Sequence, residues 1–219
     1  MSAPLITSCP VFSQRTVPAL APDAARGMHG GMAQTPRILA FSGSARRESL
    51  NRKFLAVAMS AVREAGGEVT LLDLNDYVLP LYHGDEEDAS GLPANAVKLI
   101  EQITRHQALL IASPEYNSMI TPLLKNTIDW CTRADDNPFV DKVATVISAS
   151  PGALGGVRSL VMAQQLLLKL GCHVVPGQTF LPHAGQAFDE AGALKEVRSL
   201  KGVQAMAAAL VGAAARFAD

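Results

Sequence analysis

Cysteine and aromatic residues are scarce in this 219-residue chain, and neither sign of charge dominates. It has 3 cysteines, and aromatic residues make up 5% of the sequence. Because the cysteines are widely separated and show no CxxC spacing, the pattern argues against a disulfide framework and a thiolate zinc site, and it fits a reducing cytosol. Lys and Arg number 19 and Asp and Glu number 20, so the chain has no overall electrostatic attraction to nucleic acid or to anionic membranes. Recognition of an anion must therefore be local.

Long apolar runs are also missing. The charge-free Ala-rich stretch at 205–215 falls short of the roughly 20 residues that a spanning helix needs. No basic segment precedes an apolar one near residue 1, so we expect no secretory signal and a cytoplasmic location. Hydrophobic residues make up 48% of the chain and charged residues 18%, which predicts a compact soluble globule.

Residues 1–36 differ from the rest of the chain because they are rich in proline and show no sustained period of 2 or 3.6. We predict a flexible extension for 1–36, without chemistry of its own, and one folded domain for 37–219.

From Arg37 onward, short aliphatic runs alternate with helical patterns. The strand candidates are Ile38–Phe41, Val69–Leu74, Ala108–Ala112, Val143–Ser148 and His173–Val175. The helix candidates are Leu50–Ala65, Ala94–His106, Pro122–Cys131, Gly156–Leu170 and Lys195–Phe217. Nearly all-apolar strands joined by crossover helices are typical of a parallel sheet covered on both faces. We predict an α/β fold, doubly wound with strand order 2-1-3-4-5, whose ligands bind beyond the carboxyl ends of the strands.

The loop after the first strand suits a phosphate. Ser49 is a candidate N-cap that leaves the N–H groups of Leu50 and Asn51 and the positive helix end facing the loop. Ser44, Ser49 and the amide of Asn51 can donate hydrogen bonds, and Arg46 can make a forked charged contact. The alternative is a capped turn with solvent-facing arginines. The chain contains neither GxGxxG nor GxxxxGK followed by Ser or Thr, which argues against an ordinary dinucleotide or P-loop site.

The loop after the third strand, Pro114-Glu115-Tyr116-Asn117, suits a planar heteroaromatic ring, which needs a flat contact and edge hydrogen bonds. Its alternative is a packed turn in which Glu115 ties down backbone amides. The loop after the fourth strand contains Ser150 and Gly152, where glycine lets the backbone approach a ligand, although a tight turn without a ligand would look the same. In the predicted sheet these three loops share one crevice.

Two other chemistries find little support. The segment Tyr82–Asp88 is acidic, but its consecutive carboxylates diverge, so we predict a solvated loop and no metal site. The surroundings of Ser150 lack the GxSxG pattern of a hydrolase, and no base can be assigned to Cys131.

Three ordered motifs together resemble the NAD(P)H-dependent FMN reductase family. They are Gly43-Ser44-x-Arg46-x-x-Ser49-x-Asn51; Pro114-Glu115-Tyr116-Asn117 with Pro122-x-x-Lys125-Asn126-x-x-Asp129-Trp130; and Ser150-Pro151-Gly152-x-x-Gly155-Gly156-x-Arg158. That family includes bacterial chromate, quinone and azo-dye reductases. The resemblance runs from Arg37 to about Phe188.

The resemblance implies a flavodoxin-like three-layer sandwich that binds FMN, uses NADPH or NADH as co-substrate, and forms a homodimer or homotetramer. It assigns Ser44, Arg46, Ser49, Leu50 and Asn51 to the FMN phosphate. Pro114, Glu115, Tyr116 and Asn117 are assigned to the isoalloxazine ring, with Ser150 and Gly152 near its other side. Chemistry would occur at flavin N5 without a catalytic side chain. The acceptor would be a quinone, azo compound, free flavin or oxidised metal ion. The alternative is a non-enzymatic electron carrier or flavin-binding module on the same fold.

Overall fold

A parallel sheet forms the centre of the molecule. The computed structural model of the chain describes residues 35–217. Its first five strands are β1 Arg37–Ser42, β2 Glu68–Leu72, β3 Ala108–Ala112, β4 Val143–Ala149 and β5 His173–Val174. They pair in the order β2-β1-β3-β4-β5 and every pair is parallel. The predicted α/β class and strand order are confirmed.

A sixth strand, β6 Thr179–Leu181, was not predicted. β5 pairs with the first residues of β4, whereas β6 pairs with its last residues, from Ile147 to Ala149. The two short strands therefore share the fifth position. Pro176 and Gly177 lie between them, and proline has no N–H group to give to a strand ladder.

Helices cover both faces of the sheet, and most agree with the sequence pattern. Their bounds are α1 Leu50–Glu64, α2 Gly84–Ser90, α3 Ala94–Arg105, α4 Pro122–Cys131, α5 Val157–Lys169 and α6 Val197–Arg216. The prediction of a loop at Tyr82–Asp88 is wrong, because α2 begins there. This helix has no buried residue, so it carries no apolar stripe that a sequence pattern could detect. No helix within residues 35–217 is long and apolar enough to cross a membrane.

Alternate residues of β1 point to opposite layers of the core, as the strand period of 2 requires. Ile38 and Ala40 pack in the layer that contains α1 and α6. Leu39 and Phe41 pack in the layer that contains α3, α4 and α5. All four side chains are at most 3% exposed. Burial on both faces explains why the strand reads as a continuous apolar run.

The carboxyl end of β1 is attached to the start of α4. Thr121 caps α4 by accepting from the N–H of Leu124, at 3.2 Å, and donates its own hydroxyl to the carbonyl of Gly43 at 2.6 Å. A Cβ at Gly43 would lie 2.9 Å from Cβ of Leu124, closer than two side chains can approach. Glycine at this position therefore brings the loop after β1 against the loop after β3.

The predicted extension at 1–36 lies outside the described residues apart from its last two positions, so it stays a prediction.

Candidate functional site

A cavity of about 380 Å³ lies at the carboxyl ends of β1, β3 and β4. Most of the residues predicted for the site line it: Ser44, Arg46, Ser49, Leu50, Asn51, Pro114, Glu115, Tyr116 and Ser150. Glu48, Ala149 and Pro151 also line it and were not predicted. Asn117 and Gly152 are not among the lining residues. The three loops therefore meet at one cavity, at the switch point of the sheet.

The first part of the cavity is the start of α1. Ser49 has extended backbone angles and its hydroxyl oxygen accepts from the N–H of Arg52 at 3.3 Å, which makes it the N-cap. The first helical bond joins the N–H of Lys53 to the carbonyl of Ser49. Within the part of the chain that the structure describes, the N–H groups of Leu50 and Asn51 have no acceptor. Two backbone donors and the positive end of the helix dipole therefore face the cavity.

The two arginines on either side of this N-cap differ in their partners. Arg52 pairs with Asp73, which also accepts from the backbone and side chain of Asn75. Partial burial alone would raise the pKa of Asp73, but the hydrogen bonds from Asn75 and Arg52 and the charge of Arg52 hold it below its usual value. Arg46 is exposed and makes no ion pair with any described residue. Its guanidinium is available to an anion in the cavity.

The side chain of Asn51 makes a different contact from the one we expected. Its Nδ2 donates to the carbonyl of Ala149 at 2.8 Å, and its Oδ1 accepts from the N–H of the same residue at 3.0 Å. The amide thus joins the start of α1 to the end of β4, and this contact takes one of the two N–H donors of the side chain. The backbone N–H of Asn51 is a further donor at the cavity.

The second part of the cavity is a tight turn after β3. The N–H groups of Tyr116 and Met119 each donate to the carbonyl of the other at 3.0 Å. Between them, Asn117 and Ser118 have φ angles of 51° and 68°, as in a two-residue turn that requires left-handed backbone at both positions. Asn117 therefore forms the corner of the turn, whereas Tyr116 lines the cavity with its side chain 49% exposed.

Glu115 faces the protein. Its Oε1 accepts from Nε of Arg158 at 2.8 Å and also from Nη2 of that residue, while its Oε2 accepts from the N–H of Ser159. Burial alone would raise the pKa of Glu115, but the hydrogen bonds from Arg158 and Ser159 and the charge of Arg158 hold it below its usual value. The carboxylate anchors the loop to the start of α5, as in the packed-turn alternative.

The third part of the cavity is supported by the unpredicted strand β6. The residues after β6 donate to the third loop: the N–H of His183 to the carbonyl of Gly152 at 3.2 Å and the N–H of Ala184 to that of Ser150 at 3.0 Å. The hydroxyl of Ser150 accepts from the N–H of Gly152 at 3.2 Å. No local sequence signal connects residues 183–184 to this loop, because the contact depends on the pairing of β6 with β4.

Comparison with known proteins identifies the relatives of this chain. A sequence model described as NADPH-dependent FMN reductase matches residues 36–186. An NAD(P)H-dependent FMN reductase of Pseudomonas aeruginosa is 34% identical over 180 residues, which covers 82% of this chain and 95% of the relative. A quinone reductase of Escherichia coli is 30% identical over 169 residues, covering 73% of this chain and 88% of that protein.

Among solved structures, the chain is similar to a flavoenzyme NAD(P)H:(acceptor) oxidoreductase from Paracoccus denitrificans. The TM-score is 0.72 at 27% sequence identity, over 83% of this chain and 98% of that one.

Proposed function

Because this chain belongs to the NADPH-dependent FMN reductase family, we propose that its three-loop cavity binds FMN and serves electron transfer from NAD(P)H to a small-molecule acceptor. The chain is an FMN-dependent NAD(P)H oxidoreductase. When bound, FMN would supply the redox chemistry, which is hydride transfer from the nicotinamide and electron transfer to the acceptor. The task of the protein is to bind, orient and expose the cofactor.

The cavity fits FMN in size and in the placement of its donors. Its volume of about 380 Å³ lies within the roughly 300–1,000 Å³ of ligand sites in proteins. One end offers unbonded backbone N–H groups, hydroxyls and a guanidinium, which suit a phosphate. The other end offers an exposed tyrosine ring and loop backbone, which suit a flat ring system.

We assign the phosphate to the hydroxyls of Ser44 and Ser49, the guanidinium of Arg46, and the N–H groups of Leu50 and Asn51. The hydroxyl oxygen of Ser49 accepts from the N–H of Arg52, so the hydroxyl proton remains available to a phosphate. The ring would lie along Pro114–Asn117, with Ser150 and Gly152 on its other side.

The observation that carries this proposal is that free N–H groups of α1 share one cavity with Tyr116 and Ser150, which follow two neighbouring strands. The test is equilibrium binding of FMN and of riboflavin to the FMN-free protein. We expect riboflavin to bind much more weakly, because it lacks the phosphate. Equal affinities would remove the phosphate loop from the proposal.

The acceptor that we propose is a quinone, since relatives of this chain are named quinone reductases. By family resemblance, an azo compound, free flavin or oxidised metal ion are further candidates. An electron carrier without turnover is the competing function. A net charge of -1 gives little steering toward a charged protein partner. NAD(P)H-dependent quinone turnover by the purified protein separates the two.

We also propose that the protein forms a homodimer or homotetramer through the surface around the cavity. Large apolar side chains are exposed there and nearby: Tyr116 and Met119 at 49%, Leu154 at 52% and Phe180 at 38%. Sedimentation velocity of the FMN-loaded protein tests this, and a monomer at micromolar concentration would contradict it. The proposed location is the cytoplasm, on the cysteine pattern.

A further inference from the structure

Three serine side chains with no exposed surface lie directly beneath the second loop of the cavity. They are Ser113, at the end of β3; Ser148, in β4; and Ser159, in the first turn of α5. Each is 0% exposed. None of them lines the cavity, and none belongs to the residues assigned to FMN.

The three hydroxyls form a directed set of hydrogen bonds. Ser148 donates to the carbonyl of Ser113 at 2.7 Å, and Ser159 donates to the carbonyl of Pro114 at 2.7 Å. The hydroxyls of Ser113 and Ser159 are 2.7 Å apart. Since the proton of Ser159 is directed at Pro114, Ser113 must be the donor to Ser159. Every hydroxyl proton is thus used, and two successive backbone carbonyls are held.

The next residue of the loop is held from the same side. Glu115 accepts from the side chain of Arg158 and from the N–H of Ser159. Gly156 makes room for this arrangement, because its φ is +81° and a Cβ there would lie 2.0 Å from Oγ of Ser148. Residues 113–115 are therefore fixed to β4 and α5 at each position.

We propose that Ser113, Ser148 and Ser159 are positioning residues, a serine brace that fixes the peptide groups of residues 113–115 and thereby orients the Tyr116 turn against the flavin ring. Rotation of the carbonyl of Ser113 or of Pro114 would leave a fully buried hydroxyl without an acceptor, which is unfavourable in a dry interior. The brace therefore fixes the orientation of the loop dipoles before the cofactor binds, which is the preorganisation that electrostatic tuning requires. This inference rests on the proposed FMN site.

The test compares Ser159→Ala with the wild type and with Thr127→Val. Thr127 is also buried and donates to the carbonyl of Leu123 at 2.8 Å, but that bond lies within α4 and away from the brace. In the FMN-free protein, hydrogen exchange of the backbone at residues 114–119 should speed up about tenfold in Ser159→Ala, as expected for one lost hydrogen bond. Exchange in that segment should stay unchanged in Thr127→Val.

In the FMN-loaded protein, Ser159→Ala should raise the Kd of FMN by about tenfold and shift the midpoint potential of the bound flavin. Thr127→Val should change neither. A lowered melting temperature with wild-type loop exchange, Kd and potential would overturn the proposal, because it would show that Ser159 only packs.

Two further variants keep the test decisive if Ser159→Ala does not fold. Ser148→Ala frees the Ser113 carbonyl, whereas Ser113→Ala removes only the bond to the Ser159 hydroxyl and leaves both carbonyls held. We expect faster loop exchange in Ser148→Ala than in Ser113→Ala, and wild-type exchange in Ser148→Ala would overturn the brace. The exchange measurement needs no FMN. If the wild-type protein failed to bind FMN, the proposed function would be refuted. The exchange measurement on the FMN-free protein would still show whether the serines fix the loop.

Discussion

Arg46 and Arg52 lie on either side of the N-cap of α1 and have separate roles. Arg52 is committed to Asp73, and Asn75, which also bonds Asp73, donates to the carbonyl of Ala45 in the loop after β1. Arg46 has no carboxylate partner among residues 35–217 and lines the cavity. The difference supports our proposal that Arg46 recognises the FMN phosphate while Arg52 supports the loop.

The change Arg46→Ala should weaken FMN binding by about 1.5–3 kcal/mol, the contribution of one charged hydrogen bond. The melting temperature of the FMN-free protein should hardly change, because the side chain holds no other described residue. Titration of FMN into the FMN-free variant measures the loss. Arg47→Ala is the matched control, since Arg47 is its exposed neighbour and does not line the cavity. Equal losses in the two variants would contradict the assignment.

Glu115 makes stability depend on pH in a defined direction. Its pKa is lowered in the folded protein. Its ion pair with Arg158 should therefore stabilise the fold above about pH 4.3, the ordinary pKa of glutamate, and lose that effect as the pH falls through the lower folded value. Urea unfolding should show Glu115→Gln to be less stable than the wild type at neutral pH, with the difference shrinking at acidic pH.

Glu48→Gln provides the comparison, because Glu48 pairs with Lys53 at the surface, where both side chains are at least 50% exposed. Such pairs contribute at most about 1 kcal/mol. If the stability difference between Glu115→Gln and the wild type were the same at neutral and acidic pH, the ion pair with Arg158 would not be its origin.

At the scale of elements, α1 and β4 are joined by the Asn51 side chain. Its two bonds satisfy both backbone groups of Ala149. The side chain is 5% exposed, so water does not replace these bonds easily.

Asn51→Ala should lower the free energy of unfolding by about 1–3 kcal/mol, because it leaves buried backbone groups without partners. Chemical denaturation measures the change. Ser60→Ala, which removes an exposed bond between Ser60 and Glu64 within α1, should stay within about 0.5 kcal/mol of the wild type. A similarly small effect of Asn51→Ala would show that the junction does not stabilise the fold.

The elements that the sequence predicts are those with strong apolar patterns. Strand β3 is buried along its whole length, and its bounds agree with the prediction. Strand β6 has three residues and follows a proline and a glycine, so its sequence shows no strand pattern. It is recognised as a strand by its pairing with β4. Helix α2 is stabilised at its N-terminus, where His83 accepts from the N–H of Asp85 and acidic residues fill the first turn.

In the candidate site, too, some features follow from the sequence pattern and others do not. The position of each loop after a strand is enough to predict most residues of the cavity. The direction of individual side chains is not, because it depends on contacts across long stretches of sequence. Asn51 bonds a residue 98 positions away and Glu115 one 43 positions away. The serines of the brace look ordinary in the sequence for the same reason.

At the scale of the whole molecule, the described cysteines are unsuited to carry electrons. Burial raises the pKa of Cys131 to about 12 and that of Cys172 to about 12. Thiols in such surroundings stay protonated at neutral pH and react poorly. Cys9 lies outside the described residues.

The double change Cys131→Ser and Cys172→Ala should retain most NAD(P)H-dependent quinone reduction in the FMN-loaded protein. Its stability should fall, because small buried thiols fill space in the core. Steady-state turnover at saturating FMN, with circular dichroism as the check on folding, measures both effects. A folded, FMN-loaded but inactive variant would require a thiol in the electron path.

The most direct test of the central claim is anaerobic mixing of the FMN-reconstituted protein with NADPH or with NADH, followed by a quinone. We predict that at least one nicotinamide bleaches the absorption of the bound flavin, that the quinone restores it, and that the FMN-free protein shows neither change. Bound flavin that neither nicotinamide reduces would contradict the claim that this chain is an NAD(P)H oxidoreductase, and would favour an electron carrier on the same fold.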